Sequence, residues 1–324
     1  MTFWRTLRER AWLSLLMTAV TMTAGLSRDV DAQRRRVTSA NTSGYVSRID
    51  TTFAFSRSGT VTLGAASGEI IVNGWAREEI RVRAVSDDDN IRFDATSSRV
   101  SLDVGGSHRG GDTRFEVTVP YGARVTTSSQ SGDITVHGTR GQLEVHSNSG
   151  DVDIEDVTTR LDVSSLSGDV TARGITGDVT ISALSGEVRL ADVRGNIDVG
   201  GVSGDITMRG VAAKIVRAKT TSGEITYDGT IDPAGRYELT SHSGDVKLRV
   251  PRDAKAQLTV STWNGSIDSD FPITLKPGEH GISVSRSKRY VFEIGGGGAR
   301  ISAETFSGDI TISSNGRGPS GDRG

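Results

Sequence analysis

The feature that most restricts this chain is a triplet, Ser-Gly-Asp or Ser-Gly-Glu, that recurs at Ser67, Ser131, Ser149, Ser167, Ser185, Ser203, Ser222, Ser243 and Ser307, with a further copy at Ser320. Composition alone gives on the order of one such triplet in a chain of this length, so the recurrence is a structural period. From Ser131 the successive steps are 18, 18, 18, 18, 19 and 21 residues, and Asn264-Gly265-Ser266 follows as a degenerate copy after another 21. The strict section runs from about 125 to 250.

Within each period a weaker turn lies about nine residues on, at Gly141-Gln142, Gly177-Asp178 and Gly195-Asn196. Each turn leads into a short alternating run that puts Ile134 with Val136, Leu143 with Val145, Val152 with Ile154, Leu161 with Val163, Val179 with Ile181, Val188 with Leu190, and Ile197 with Val199 on one face. Alternation of period two means strands buried on one side. One coil therefore holds two strands of about five residues and two turns, too little to bury itself, and stacked coils supply the missing core. At ~4.8 Å per coil the strict section extends roughly 35 Å.

Backbone chemistry gives the triplet its role. Gly accepts the positive φ of a tight corner, Ser offers a hydroxyl to nearby turn amides, and the acid opens the next strand pointing outward. The residue before each Ser varies, being Gln130, Asn148, Leu166, Leu184, Val202, Thr221 or His242, and stacks along one edge. A left-handed hexapeptide helix fails because steps of six from Ile134 reach Arg140 and His146. A calcium-binding nonapeptide roll lacks its doubled glycines. A meander of antiparallel hairpins also fits a nine-residue beat and stays open as the second architecture.

Arg5, Arg8 and Arg10 precede an apolar run from Ala11 to about Leu26, and Val30-Asp31-Ala32 offers a cleavage site. Residues 1–32 read as a secretory signal peptide, too short in its apolar part for a ~20-residue span. Residues 33–48 read as a disordered lead-in, 49–124 as an N-terminal β cap, 125–312 as a β-solenoid with irregular C-terminal coils, and 313–324 as a flexible tail. The expected cap strands are Thr51–Phe55, Thr60–Leu63, Glu69–Asn73, Ile80–Ala84, Ile91–Ala95, Arg99–Val104 and Arg114–Val119. Capping has a motive, since an open solenoid end exposes unpaired edges.

Gly 40, Pro 6 and 5% aromatics suit a thin repetitive body, and the absence of Cys excludes disulfides, thiol catalysis and Cys-ligated zinc. Without its leader's four Arg and three acids, a chain of net charge -2 becomes one of -3, both signs evenly spread. Such a surface does not suit nucleic acid.

The pattern Ser/Thr-x-Ser-Gly-Asp-Ile/Val, the segment Ser67-Gly68-Glu69-Ile70…Gly74-Trp75-Ala76-Arg77-Glu78-Glu79-Ile80-Arg81-Val82, and Val119-Pro120-Tyr121-Gly122-Ala123 resemble the bacterial putative-adhesin family over residues 49–313. These are exported β-helix domains of unknown function. The resemblance implies a parallel, right-handed β-helix and transfers no catalytic residue. Gly201-Val202-Ser203, with Gly in place of Ser/Thr, and the 21-residue coils after Ser222 depart from the pattern.

Candidate chemistry is sparse. Asp133, Asp151, Asp169, Glu187, Asp205, Glu224 and Asp245 form an outward ladder, either a solvated edge or a row that draws in a divalent cation. His108, His137, His146, His242 and His280 are scattered, with His137 and His146 placed on opposite sides of the coil as exposed strand-end residues. Gly295–Gly298 reads as a turn, since no Lys-Ser/Thr follows it. No catalytic, cofactor-binding or metal-binding residue is assigned and no cofactor is called for. The function expected is that of a non-enzymatic, adhesion-like protein of the cell envelope, periplasmic or extracellular, binding polysaccharide or protein through its repetitive surface. The alternatives are a carbohydrate-active enzyme using Asp151 with Asp153 or Asp169, and an envelope sensor domain.

Overall fold

The computed structural model describes residues 47–87, 91–104, 113–272 and 288–314. The expected leader, the tail and most of the lead-in lie outside them, as do His108 and His280. The chain is all β. Its N-terminal region forms β1 (Ser47–Ala54), β2 (Thr60–Trp75), β3 (Glu79–Ser86), β4 (Ile91–Ala95), β5 (Arg99–Val104) and β6 (Thr113–Pro120). The middle forms β7 (Arg124–His137), β8 (Leu143–Ser147), β9 (Val152–Glu155), β10 (Leu161–Ser167), β11 (Val170–Arg173), β12 (Val179–Ser185) and β13 (Val188–Ala191). It continues through β14 (Ile197–Ser203), β15 (Ile206–Val211), β16 (Ile215–Ser222), β17 (Ile225–Gly229), β18 (Arg236–Ser243) and β19 (Val246–Val250). The C-terminal region forms β20 (Ala256–Asn264), β21 (Ile267–Ser269), β22 (Lys288–Ile294), β23 (Ala299–Ser307) and β24 (Ile310–Ser314).

Parallel pairing sorts these strands into two ladders. One runs β5, β2, β7, β8, β10, β12, β14, β16, β18, β23, β20. The other runs β6, β2, β7, β9, β11, β13, β15, β17, β19, β24, β21. The coils stack with triplets in register, Ser167 on Ser185 and Ser185 on Ser203. This is the β-solenoid the period predicts, and it excludes the hairpin meander. Eleven levels at ~4.8 Å give a rod of roughly 50 Å.

The inward residues named from alternation are all buried, including Leu161, Val163, Val179, Ile181, Ile197 and Val199. A third, one-residue side also closes the coil. Val157, Ile175 and Val193 are fully buried there, and their neighbours Thr158, Thr176, Arg194 and Ala212 join by single parallel bridges. The turn ahead of that side needs left-handed backbone, supplied by Asp156 (φ 56) and Gly174 (φ 67) in successive coils. At the triplet corner Gly is required twice over. Gly186 has φ 119, and a Cβ there would lie 2.1 Å from the Gly168 carbonyl oxygen.

The ends differ from expectation. The runs Thr60–Leu63 and Glu69–Asn73 are one bent strand, β2, which pairs in register with β7, Ser67 on Ser131. The region expected to be only a cap thus contributes full coils. β5 and β6 stack outside β2, so the spatial order departs from the chain order. The antiparallel strands β4 on β5, β3 on β6 and β1 on β3 do the covering. The other end repeats the device: β23 lies between β18 and β20, and antiparallel β22 covers β20.

The 21-residue coil from Ser222 holds Tyr227 and Tyr237, both buried and edge-to-face at 5.6 Å. The Tyr227 hydroxyl donates to Thr230 O at 2.8 Å and that of Tyr237 to Ala213 O at 2.7 Å. Burial pushes the Tyr227 hydroxyl far above its ordinary value, and both phenols stay neutral. The extra residues of the longer coil make room for these rings.

Candidate functional site

Alternation along the first ladder determines what each coil presents. In Leu161-Asp162-Val163-Ser164-Ser165-Leu166, the residues Leu161, Val163 and Ser165 turn inward while Ser164 and Leu166 turn outward. The buried hydroxyls stabilise the corner: Ser241 donates to Gly223 O at 3.0 Å, Thr305 to Gly244 O at 2.9 Å and Thr262 to Gly308 O at 3.0 Å. The corner hydroxyl bonds thus come from the residue two before the triplet Ser and go to carbonyls, whereas the sequence suggested the triplet Ser and amides.

Stacking converts the two outward positions into two parallel walls with the Ser165 position as floor. One wall is polar, with His146, Ser164, Ser182, Lys219 and Thr240 in successive register. The other wall is the variable edge, where Leu166 is 52% exposed, Leu184 45% and Val202 48%. The space between them forms one groove in three consecutive segments. The middle segment, from His146 to Lys219, encloses about 580 Å³. Beyond Lys219 a segment of about 390 Å³ ends at Trp263 and Phe306. Before His146 a smaller one of about 220 Å³ is lined by Ser129, Gln130 and Asp103.

The far segment has an aromatic wall. Phe306 stacks on His242 with centroids 4.9 Å apart and planes at 10°, and on Trp263 at 5.9 Å and 12°. Phe306 is 49% exposed and Trp263 44%. All three hold the variable position before a Ser-Gly or Asn-Gly corner. That shared position was the available signal, but Phe306 comes between the other two only because β23 inserts between β18 and β20. In the middle segment Gly200 and Gly201 widen the groove. Neither has positive φ, and a Cβ would meet nothing within 4 Å at Gly200 and only ordinary contacts at Gly201. The backbone does not require glycine at either place.

The acidic ladder lies away from this groove, along the second strand of each coil. Asp133 Oδ1 accepts the Asp151 N–H, Asp151 that of Asp169, and Asp169 that of Glu187, each at 2.9 Å. Asp205 accepts from Glu224 at 2.7 Å and Asp245 from Asp309 at 2.9 Å. The acids therefore tie each coil to the next. Glu187 and Glu224, one methylene longer, turn instead to Arg189 and to Lys247. The Glu187 N–H, together with Arg189 at 2.9 Å, holds the Asp169 carboxyl below its ordinary value. Asp153 pairs with Arg173 at 3.3 Å. Asp151, Asp153 and Asp169 are thus engaged with amides and guanidinium groups, and none lines the groove.

His137 and His146 lie in different ladders, each beside one carboxylate, Glu155 at 3.3 Å and Glu144 at 3.1 Å. The described residues contain no group of three His, Asp or Glu able to hold a metal ion. Gly295–Gly298, all at positive φ, form the turn from β22 into β23.

The family model described as Toastrack DUF4097 matches residues 57–313. None of the curated proteins matches this chain. Among solved structures, a "putative adhesin" from Bacteroides fragilis is 12% identical over 82% of this chain and 97% of its own, with a TM-score of 0.39. One from Parabacteroides merdae is 10% identical over 86% and 99%, with a TM-score of 0.37. A "putative cell adhesion protein" from Clostridium sporogenes is 9% identical over 83% and 100%, with a TM-score of 0.23.

Proposed function

This chain belongs to the Toastrack DUF4097 family, and from that premise we propose that it is an exported, non-enzymatic, adhesion-like protein of the cell envelope that holds a polymer or a protein along its groove. The observation that carries the reading is the groove itself, a row of similar shallow contacts repeated coil after coil. Repetition turns individually weak contacts into useful affinity. The acids nearest to a catalytic arrangement are engaged in holding the coils together, which supports binding over hydrolysis. The leader read in residues 1–32 supports export, and no helix among the described residues is long and apolar enough to cross a membrane.

The test is a combined binding and turnover screen of the purified chain against envelope and extracellular polysaccharides and proteins. Saturable binding with the ligand recovered intact is the expected result. Release of shortened product, abolished by Asp151→Asn or Asp169→Asn, would replace this reading with a carbohydrate-active enzyme.

A further inference from the structure

Resting on the binding reading above, we propose that the groove's occupant is a linear, uncharged glycan, lying along the rod axis and anchored at the aromatic end. Exposed apolar surface is concentrated there. Of the seven large hydrophobic side chains exposed among the described residues, five lie on this one wall: Leu166, Leu184, Val202, Phe306 and Trp263. A contiguous exposed apolar strip on a chain with so few aromatics marks an interaction surface.

The two walls also match a sugar chain chemically. The wall facing the apolar strip is mostly hydroxyl, with Ser164, Ser182, Thr240 and Ser261 presenting donors and acceptors. A pyranose chain has the same two-sidedness, with hydroxyls along its edges and C–H patches on its ring faces. Aromatic and aliphatic side chains take the C–H patches and hydroxyls take the edges.

Charge narrows the class to neutral glycans. The middle segment contains Lys219 as its one fixed charge, and Glu304 offsets it in the next. A polyanion would find no row of cations here, nor a polycation a row of acids.

A peptide fits less well. An extended peptide gains most of its affinity on a β protein by adding a strand to an open edge. Here the strands cross the groove floor, and their N–H and C=O groups are paired to neighbouring coils above and below. The floor offers side chains and no ladder. Gly200 and Gly201 add to this, since glycine that the backbone does not require leaves open width at the middle of the track.

The test is titration calorimetry of the full chain with cellohexaose, xylohexaose and chitohexaose, with polygalacturonate as the anionic comparison. At least one neutral hexasaccharide should bind saturably. Trp263→Ala should weaken it about tenfold, and so should Gly200→Gln. The glutamine fills the groove from a position where a side chain has room, so its melting temperature should match that of the parent. Arg209→Gln, exposed on the other ladder, should leave binding unchanged.

Three results would overturn the assignment: binding of polygalacturonate alone, no binding of any neutral hexasaccharide, or binding indifferent to both groove variants. Self-association abolished by Gly200→Gln would also overturn it, giving the groove to a second copy. Each of these leaves the protein a binder, whereas conversion of a hexasaccharide to shorter products would remove the binding reading itself.

Discussion

The interior of the rod and its two ends use the same corner differently. From β7 to β19 the chain order and the spatial order coincide, and each triplet rests on the one 18 to 21 residues before it. At the ends the corner reaches much farther: Ser67 rests on Ser131, and Ser243 on Ser307, with a whole coil placed out of chain order in each case. The outermost levels carry antiparallel strands that the interior lacks. The difference teaches that the corner specifies a fit between coils and not a distance along the chain. Any coil with the right inward residues and a Ser-Gly corner can stack on any other, and the ends are where the protein uses that freedom.

The most direct way to break the interior is at its corner glycine. Gly186→Val forces a β-branched side chain into φ 119 and against the Gly168 carbonyl, and should cost about 3 kcal/mol or more. Gly200→Ala, one coil away but at an undemanding position, should stay within about 0.5 kcal/mol. Urea denaturation of the two variants side by side checks both figures, and equal losses would refute the corner argument.

The next effect sharpens the boundary where coils lengthen from 18 to 21 residues. Tyr237→Phe removes a hydroxyl that donates to Ala213 O and accepts the Asp232 N–H at 2.8 Å. The expected loss is about 1–3 kcal/mol, since two buried backbone groups lose their partner. A melting temperature equal to that of the parent would mean the ring alone fills the wider coil.

A smaller effect concerns the aspartate ladder. The native Asp169 carboxyl sits below its ordinary value, so its contribution is fully present above the unfolded value near 4 and disappears as pH falls through the lower folded value. Acidification should therefore lower the melting temperature of the parent more than that of Asp169→Asn. At pH 7 the two should differ by less than about 1 kcal/mol, because the site is largely exposed. Smallest of all, calcium or a chelator should leave the melting temperature unchanged, as the ladder oxygens are engaged with backbone N–H groups. A rise with calcium would restore the cation reading of the acids.

What could be read in the sequence divides along the same line. The triplet spacing gave the coil, and the alternation of Leu161 with Val163 or Ile197 with Val199 gave the buried face, because both signals are local and repeat. The third side left no such signal: Val157, Ile175 and Val193 stand alone between turns, and one residue has no period. The insertion of β23 between β18 and β20 left no local trace either, so the contact of Trp263 with Phe306 was invisible although both residues were in view. Of the groove, the variable edge position was legible as a column. Its wall opposite, its glycine gap and its aromatic end needed the stacking order. The acids were legible as a ladder, but their role was not, because the bond from each Asp to the next coil's N–H depends on side-chain length and register together.

The displaced coil at the C-terminal end bears on how the molecule carries load. Strand β24, the last one described, is not the outermost level: it is gripped by β19 on one side and β21 on the other. A pull on the C-terminus is therefore shared from the outset by two hydrogen-bonded ladders, and it reaches the rod one level in from its exposed face. A solenoid wound strictly in chain order would peel from its last turn, one coil at a time. Here both flanking interfaces have to open before the first coil comes free, much as a rope whose end is tucked under the previous turn resists unwinding.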